Sequence, residues 1–147
     1  MTARPSPRQG IYERPFWEYV QRGRLHLQHC SSCGLFWYPP GPACPRCLSS
    51  DWAWEAVSGR GSLLSWATFH RQYFESLPPP YTVVAAELEE GPILITDVAV
   101  PPEQLLMGMP VRLTYRPTKT SEGGELMLYH WEPDVVGRDQ QKASNAS

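Results

Sequence analysis

The 147-residue sequence lacks several features that would quickly place it in a class of proteins. It has no large excess of charge, because 13 Lys and Arg against 15 Asp and Glu give a net charge of −2, which disfavours a general nucleic-acid binder. It has no apolar run near the roughly 18 residues of a membrane-spanning helix. It begins with no apolar segment typical of a secretory signal. We therefore expect a soluble, cytoplasmic protein without a membrane partner.

Cysteine is absent outside one short stretch, where two Cys-x-x-Cys pairs are separated by ten residues. The four residues are Cys30, Cys33, Cys44 and Cys47. Two such turns supply the four sulfur ligands of tetrahedral zinc, and a closed four-thiolate site has no open position for catalysis. Gly34 and Pro45 suit the tight turns of metal-binding knuckles. The spacing predicts one structural zinc ion and leaves no cysteine free as a nucleophile.

Other interpretations of the four cysteines stay open at the level of sequence. Two disulfides would require an oxidising compartment. A redox dithiol would be expected near a βαβ pattern, which is not evident here. Four thiolates also accept iron, as in a rubredoxin-like site. His26 and His29 lie beside the first pair, but because four cysteines already complete a site we interpret both as ordinary strand residues.

The 16 prolines and 11 glycines indicate short elements joined by many turns. We predict a loose N-terminal arm, then a short helix over residues 15–22 that begins at Pro15 and ends at Gly23. Three residues share one face of this helix at helical spacing: Phe16, Tyr19 and Val20. A helix this short and aromatic must pack on another part of the protein.

The second half of the chain has the strand order of an OB-type barrel. Strands are predicted near residues 62–70, 81–88 and 93–98, then one turn of helix, then strands near 111–116 and 125–131. The Gly59-x-Gly61 segment is no dinucleotide fingerprint, since no helix follows it. The predicted fold is mainly β: an N-terminal arm and helix (1–23), a zinc ribbon (24–57), a five-stranded OB-fold barrel (58–133) and a disordered tail (134–147).

The chain resembles the DUF35 family, in which a helix and a rubredoxin-like zinc ribbon precede an OB-fold. The resemblance covers roughly residues 12–132 and rests on the order of several short motifs. These are Phe16-Trp17, Cys30-x-x-Cys33-Gly34, Cys44-Pro45-x-Cys47, Ser58-Gly59-Arg60-Gly61-Ser62, Pro80-Tyr81-Thr82-Val83-Val84 with Glu87-Leu88, and Gly108-Met109-Pro110-Val111.

The resemblance implies a zinc-binding accessory subunit without catalytic residues of its own. Members of the family look like partners of thiolase-like enzymes, including aldolases, and of hotdog-fold enoyl-CoA hydratases. They help to complete an acyl-CoA site on the partner. We therefore expect a thiolase-like partner subunit in an αβ heterotetramer, with acyl-CoA bound at a shared site. A zinc-ribbon and OB-fold module that binds nucleic acid is the alternative.

Candidate contact residues follow from the chemistry of these ligands. Cations and flat apolar rings suit CoA phosphates and adenine, and the candidates are Arg60, Arg71, Tyr73 and Phe74. Aromatic residues are enriched at protein interfaces, and the candidates for partner contact are Phe16, Trp17, Tyr19, Phe36 and Trp37. In this hypothesis the ribbon is a zinc-stapled bracket that holds the helix against the barrel, and the loop at residues 71–80 extends the apolar surface.

Three polar residues are also possible acid–base groups: His70, His130 and Asp97. Each stands alone in the sequence, without a neighbouring partner. We interpret all three as strand-end or surface residues.

Overall fold

The computed structural model describes residues 3–135. Its elements are α1 (Glu13–Gln21), β1 (His26–Cys30), β2 (Phe36–Trp37), β3 (Trp52–Ala56), β4 (Arg60–Phe69), β5 (Tyr81–Leu88), β6 (Ile93–Asp97), a 3-10 turn (Pro102–Gln104), β7 (Pro110–Lys119) and β8 (Glu125–Pro133). Within the described part of the chain no helix has the length and apolar character needed to cross a membrane.

Helix α1 begins two residues earlier than the sequence predicts, so Pro15 lies in the first turn and not at its first position. A proline is tolerated there because the first four amides of a helix have no carbonyl partner within it. The predicted end at Gly23 is correct: its φ is +67°, and its amide and that of Arg24 donate to carbonyls of the last turn. Glycine adopts this left-handed conformation without the steric cost of a side chain.

The ribbon is a three-stranded antiparallel sheet with β1 in the centre, between β2 and β3. The side chain of Gln28 on β1 is fully buried, which is unusual for an amide. Its Nε2 donates to the carbonyl of Gly41 at 2.8 Å, and its Oε1 accepts from the amide of Gly41 at 2.8 Å. This pair of hydrogen bonds satisfies the buried amide and fixes the loop between the two cysteine pairs to the sheet.

The remaining five strands form one antiparallel sheet in the order β6-β5-β4-β7-β8. The sheet closes on itself where Val98, just after β6, meets Trp131 on β8 in a parallel bridge. The amide of Ala99 donates to the carbonyl of Trp131 at 3.2 Å. Three strands, a short helical turn and two strands in a closed sheet are the OB-type barrel predicted from the sequence.

One hydrophobic core is shared by the helix, the ribbon and the barrel. Its fully buried members include Phe16 and Val20 from α1, Leu25 and Leu27 from the ribbon, and Leu63, Val84, Leu94, Val111 and Trp131 from the barrel. The indole N–H of Trp131 donates to the carbonyl of Leu94 at 3.2 Å, so the largest side chain of the core also satisfies its polar atom.

The predicted disordered tail begins too early at residue 134. Asp134 is buried, and its amide donates to the carbonyl of Pro110 at 3.0 Å. Its carboxylate lies 3.9 Å from Nε of Arg60. Residues 136–147, the rest of the predicted tail, lie outside the described residues.

Gly61 is required by the close approach of β4 to β5. A Cβ at this position would collide with the backbone carbonyl oxygen of Glu87 and lie 3.0 Å from the carbonyl carbon. We expect Gly61→Ala to lower the free energy of unfolding by about 1–3 kcal/mol, since backbone atoms must move to accept the methyl group. Urea unfolding monitored by fluorescence measures the change.

Gly41→Ala is the matched control, because nothing lies within 4 Å of a Cβ at Gly41. It should stay within about 0.5 kcal/mol of the parent protein. Equal unfolding midpoints for the two variants would contradict the close approach described for β4 and β5.

Candidate functional site

The two cysteine pairs fold into two copies of one turn. The carbonyl of Cys30 accepts the amide of Gly34 at 3.0 Å, and the carbonyl of Cys44 accepts the amide of Leu48 at 2.9 Å. Gly34 and Leu48 occupy equivalent positions, and both have positive φ, at +77° and +63°. Leu48 is the only residue other than glycine with positive φ in the described part of the chain. Its strained conformation shows that the second turn is held by its surroundings and not by a permissive residue.

The four cysteine sulfurs lie together as a metal site requires. All four Sγ atoms are within 4.8 Å of one another, and two pairs, Cys30–Cys47 and Cys33–Cys44, are 3.6 Å apart. Tetrahedral zinc with Zn–S bonds of about 2.3 Å places its sulfurs about 3.8 Å apart. The cluster therefore fits one zinc ion with four thiolate ligands, as the spacing predicts.

The two neighbouring histidines take no part in this cluster. His26 stacks on Tyr19 with ring centroids 3.7 Å apart. Nδ1 of His29 lies 3.0 Å from Oε1 of Glu55 on the neighbouring strand β3. Their interpretation as ordinary strand residues agrees with these contacts.

Backbone amides donate to the cysteine sulfurs and favour their thiolate forms, which are the forms that bind a cation. The amide of Cys33 donates to Sγ of Cys30 at 3.4 Å. This hydrogen bond is the main cause that lowers the pKa of Cys30 to about 6, against the opposing effect of burial. At Cys47 the amide of Ser49 lowers the pKa, but burial and the three other sulfurs outweigh it and raise the pKa to about 11. Four adjacent thiolates repel one another, and a divalent ion removes that repulsion.

The residues predicted to contact a partner divide into buried and accessible groups. Phe16 is 1% exposed and Trp37 is 7% exposed, so both are covered by the chain itself and leave little surface for a partner. Trp17, Tyr19 and Phe36 remain partly accessible. The helical face predicted from the sequence explains Phe16, since that face packs on the barrel. Partner contact therefore remains a prediction for Trp17, Tyr19 and Phe36 only.

The four residues predicted to contact acyl-CoA lie in two separate parts of the structure. Tyr73 and Phe74 are 60% and 53% exposed in the loop between β4 and β5, and the guanidinium of Arg71 lies 5.7 Å from the ring centroid of Tyr73. Arg60 lies at the other end of β4, roughly 30 Å of extended strand away, where it pairs with Asp134. The structure therefore brings Arg71, Tyr73 and Phe74 together and separates Arg60 from them.

Two of the three polar residues set aside in the sequence analysis form a pair. Nδ1 of His130 lies 2.6 Å from Oδ1 of Asp97 across the closure of the barrel. Arg4 of the N-terminal arm lies 3.3 Å from the other carboxylate oxygen. Burial raises the pKa of Asp97, but the hydrogen bond and charge of His130, followed by the charge of Arg4, outweigh this effect and lower the pKa to about 2. Asp97 is therefore a carboxylate that accepts a hydrogen bond from Nδ1 of His130.

Sequence analysis missed this pair because its members are 33 positions apart and come from different strands. Arg4 was missed as well, since it lies in the arm that the sequence predicts to be loose. In the structure, the amide of Arg4 donates to the carbonyl of Lys119 at 3.0 Å, and its carbonyl accepts the amide of Ser121 at 2.9 Å. No periodic pattern in the arm could have indicated this contact.

Two models of known protein families match consecutive parts of the chain. The model described as the ChsH2 rubredoxin-like zinc ribbon domain matches residues 17–53. The model described as the ChsH2 C-terminal OB-fold domain matches residues 54–116. Together they span the ribbon, the first three strands of the barrel and most of the fourth.

Two curated relatives differ in how much of their length is matched. A probable enoyl-CoA hydratase alpha subunit from Thermomonospora curvata is 37% identical over 105 residues, which are 70% of this chain and 33% of the relative. The chain thus spans about a third of the length of this hydratase subunit. A DUF35 domain-containing scaffold protein from Pyrococcus furiosus is 27% identical over 124 residues, which are 80% of this chain and 88% of the relative.

A solved structure matches most of the chain in three dimensions. One chain of the Ltp2-ChsH2(DUF35) aldolase superposes with a TM-score of 0.78 at 31% identity, and the match covers 88% of this chain and 100% of that chain. The zinc ribbon, the closed OB-fold barrel and these similarities lead to the same conclusion: the chain belongs to the DUF35 family, with the zinc ribbon and OB-fold domains of ChsH2.

Proposed function

We propose that this chain is a non-catalytic, zinc-binding accessory subunit of a thiolase-like enzyme, and that it helps to complete or stabilise an acyl-CoA site for C–C bond cleavage or formation. The observation that carries the proposal is the match to the full length of one chain in the Ltp2-ChsH2(DUF35) aldolase. The match leaves no part of that chain uncovered, and the structure is that of an aldolase whose name joins Ltp2 to ChsH2(DUF35). An αβ heterotetramer in the cytoplasm is the assembly that we propose.

The metal centre supports a structural and not a catalytic role. Thiolase chemistry uses a cysteine nucleophile, and all four cysteines of this chain lie within the metal cluster. A zinc ion with four thiolate ligands has no open position for water or substrate. The nucleophile for acyl-CoA chemistry would therefore come from the partner subunit.

A hydratase partner is the second candidate. Two curated relatives are named as alpha subunits of CoA-ester hydratases, and this favours acyl-CoA chemistry of a different type. However, the matches cover only 33% and 37% of these relatives, so most of each relative has no counterpart in these 147 residues. Their hydratase function can reside in the unmatched part, and we therefore rank the thiolase-like partner first.

The zinc centre stabilises one end of the ribbon and contributes less to the rest of the fold. Trp37 packs with the buried Cys30 and Cys44, together with the partly buried Trp52, in a small cluster of its own. The other end of the ribbon is held by the main core, as described above for Leu25 and Leu27. Helix α1 also has contacts that do not involve the metal, since the side-chain amide of Gln21 donates through Nε2 to the carbonyl of Met127 on β8 and accepts through Oε1 from the amide of Met127. The helix is therefore held by the barrel as well as by the ribbon.

Loss of a ligand should therefore unfold one end of the ribbon and spare the barrel. We expect Cys44→Ser to reduce the zinc content from one ion per chain to less than about a tenth. The fixed packing of Trp37 against Trp52, whose ring centroids are 6.2 Å apart, should be lost with it. Metal analysis and near-ultraviolet circular dichroism measure these two changes.

Ser32→Ala is the matched control for the zinc prediction, because Ser32 lies in the first knuckle and supplies no ligand. It should keep its zinc and its near-ultraviolet spectrum. Complete loss of β structure in Cys44→Ser would mean that the barrel depends on the metal, and full zinc content would remove Cys44 from the ligand set.

The aromatic loop surface, which we define as Phe69, Tyr73 and Phe74, is our candidate for the partner contact. All three side chains are more than a third exposed. Phe69 packs edge-to-face against Tyr73 at 6.2 Å and stacks on Tyr81 at 4.9 Å, so two of the rings are held in place rather than free in solvent. Exposed, ordered aromatic rings are the usual anchors of protein interfaces. Arg71 at the edge of this surface remains the candidate for contact with acyl-CoA.

Co-expression with a candidate thiolase-like chain, followed by size exclusion and an acyl-CoA turnover assay, tests the proposed function. Co-elution and turnover that needs both chains would support the accessory role. Retention of a single-stranded oligonucleotide by a chain that elutes alone would favour the nucleic-acid alternative and contradict ours. Co-elution with a hydratase instead would select the second candidate.

We expect the double substitution Tyr73→Ser and Phe74→Ser to weaken partner binding about 10-fold or more, because truncation of buried aromatic anchors commonly costs more than 1 kcal/mol. Surface plasmon resonance with the purified partner measures the affinity. The matched control is Met107→Ser, which removes an exposed apolar side chain outside the aromatic loop surface. Equal affinities of the double variant and the control would place the interface elsewhere.

A further inference from the structure

The cavity beside the His130–Asp97 pair has the character of an anion site. It has a volume of about 520 Å³ and lies between the N-terminal arm, the loop after β4, and the hairpin of β7 and β8. Its polar and charged lining residues are Arg4, Ser76, Asp97, Arg116, Lys119, Glu125 and His130, with Thr118. Three cations thus surround this cavity in a protein whose net charge is −2.

The carboxylates of the lining do not neutralise these cations completely. Asp97 is already paired with Arg4 and His130. Glu125 lies opposite Lys119 in the register of β7 and β8, but no ion pair joins them. Within residues 3–135, neither Lys119 nor Arg116 has a carboxylate within 4 Å. The charge of at least one cation is therefore available to a ligand.

Two buried polar atoms in the lining have no hydrogen-bond partner among the described residues. They are Nε2 of His130 and Oγ of Ser76. His130 is only 6% exposed, and its other nitrogen is occupied by Asp97. A buried polar atom without a partner costs about 1–3 kcal/mol, so such atoms usually indicate an absent water, ion or ligand. Oγ1 of Thr114, which lies directly opposite His130 on β7, is also buried without a partner.

We propose that this cavity binds a phosphate group, with Arg116 and Lys119 supplying charge and Ser76 and His130 supplying hydrogen bonds. The site combines a guanidinium, an ammonium, a hydroxyl and an imidazole around one space. Because Nδ1 of His130 donates to Asp97, Nε2 donates to an anion in the imidazolium form of the ring, which carries a proton on both nitrogens. Asp97 and Arg4 are positioning residues: the carboxylate orients the imidazole through Nδ1, and Arg4 holds that carboxylate from the arm.

Coenzyme A is one source of such phosphates, and free inorganic phosphate is another. Ser76 belongs to the loop that also carries Tyr73 and Phe74, so a ligand in the cavity lies next to the aromatic loop surface. The proposal does not depend on the thiolase-like partner, because every lining residue belongs to this chain. Binding to the isolated chain tests it, whereas co-elution with a partner tests the proposed function.

Isothermal titration calorimetry of the zinc-loaded, full-length chain compares four probes: CoA, adenosine 3′,5′-bisphosphate, pantetheine and inorganic phosphate. We expect the two organic phosphates to bind and pantetheine, which has no phosphate, to show no binding. Inorganic phosphate that binds as tightly as CoA would support the anion site and exclude CoA as its specific source. Absence of binding by all three phosphate-containing probes would overturn the proposal.

Arg116→Gln should weaken the binding of the organic phosphates about 10-fold or more, since it removes a charged donor from an exposed position without disturbing the core. His130→Gln tests the imidazole in the same way. The matched control is Arg112→Gln on the same strand, because Arg112 is paired with Glu132 at 2.7 Å and does not line the cavity. An equal loss in Arg112→Gln would show that net charge alone governs binding, and would overturn the site.

Discussion

Burial of apolar side chains from three segments of the chain in one core is the constraint on which the rest of the structure depends. The nine-residue helix is too short to be stable alone, and the three-stranded ribbon has little apolar area of its own. Phe16 and Val20 from the helix and Leu25 and Leu27 from the ribbon fill the space beside Trp131 in the barrel. The three segments therefore depend on one another, although the sequence divides them into separate modules.

The metal is needed where this core ends. Leu27 belongs to the main core, but Cys30, three residues later on the same strand, belongs to a small cluster with Trp37 and Cys44. A cluster of that size cannot offset the conformational entropy of two loops. Four thiolates around zinc provide the missing stabilisation, and the buried amide of Gln28 fixes the loop between them. The ribbon thus has one end stabilised by apolar burial and one by metal coordination.

Features governed by local rules could be predicted from the sequence. The Cys-x-x-Cys spacing indicated the metal cluster, Gly23 indicated the end of the helix, and the order of apolar segments indicated the barrel. Features governed by the closure of the barrel could not be predicted, because they join residues distant in the chain. The pairing of His130 with Asp97 depends on the register of β6 against β8, which no single strand determines.

The same limit applies to what the sequence indicates about aromatic residues and about charge. An excess of aromatic residues indicates that some are exposed, but only packing decides that Phe16 and Trp37 are covered while Tyr73 and Phe74 are not. Net charge has a similar weakness, since a value of −2 gives no indication that cations gather around one cavity. Composition and net charge thus describe the surface on average, whereas binding depends on which residues are brought together at one place.

The histidine–aspartate pair also bears on the accessory role that we propose for this chain. The pair is not by itself strong support for stability, because partial burial of polar groups loses hydration that can exceed the gain from the pairing. Nε2 of His130 has no hydrogen-bond partner among the described residues, which adds a further cost. In the proposed phosphate site an anion accepts from Nε2, so relief of this cost contributes to the free energy of binding. If the proposed function and the proposed phosphate site are both correct, the chain supports the chemistry of its partner by holding charged groups of the substrate, while zinc and the shared core keep the binding surface in place.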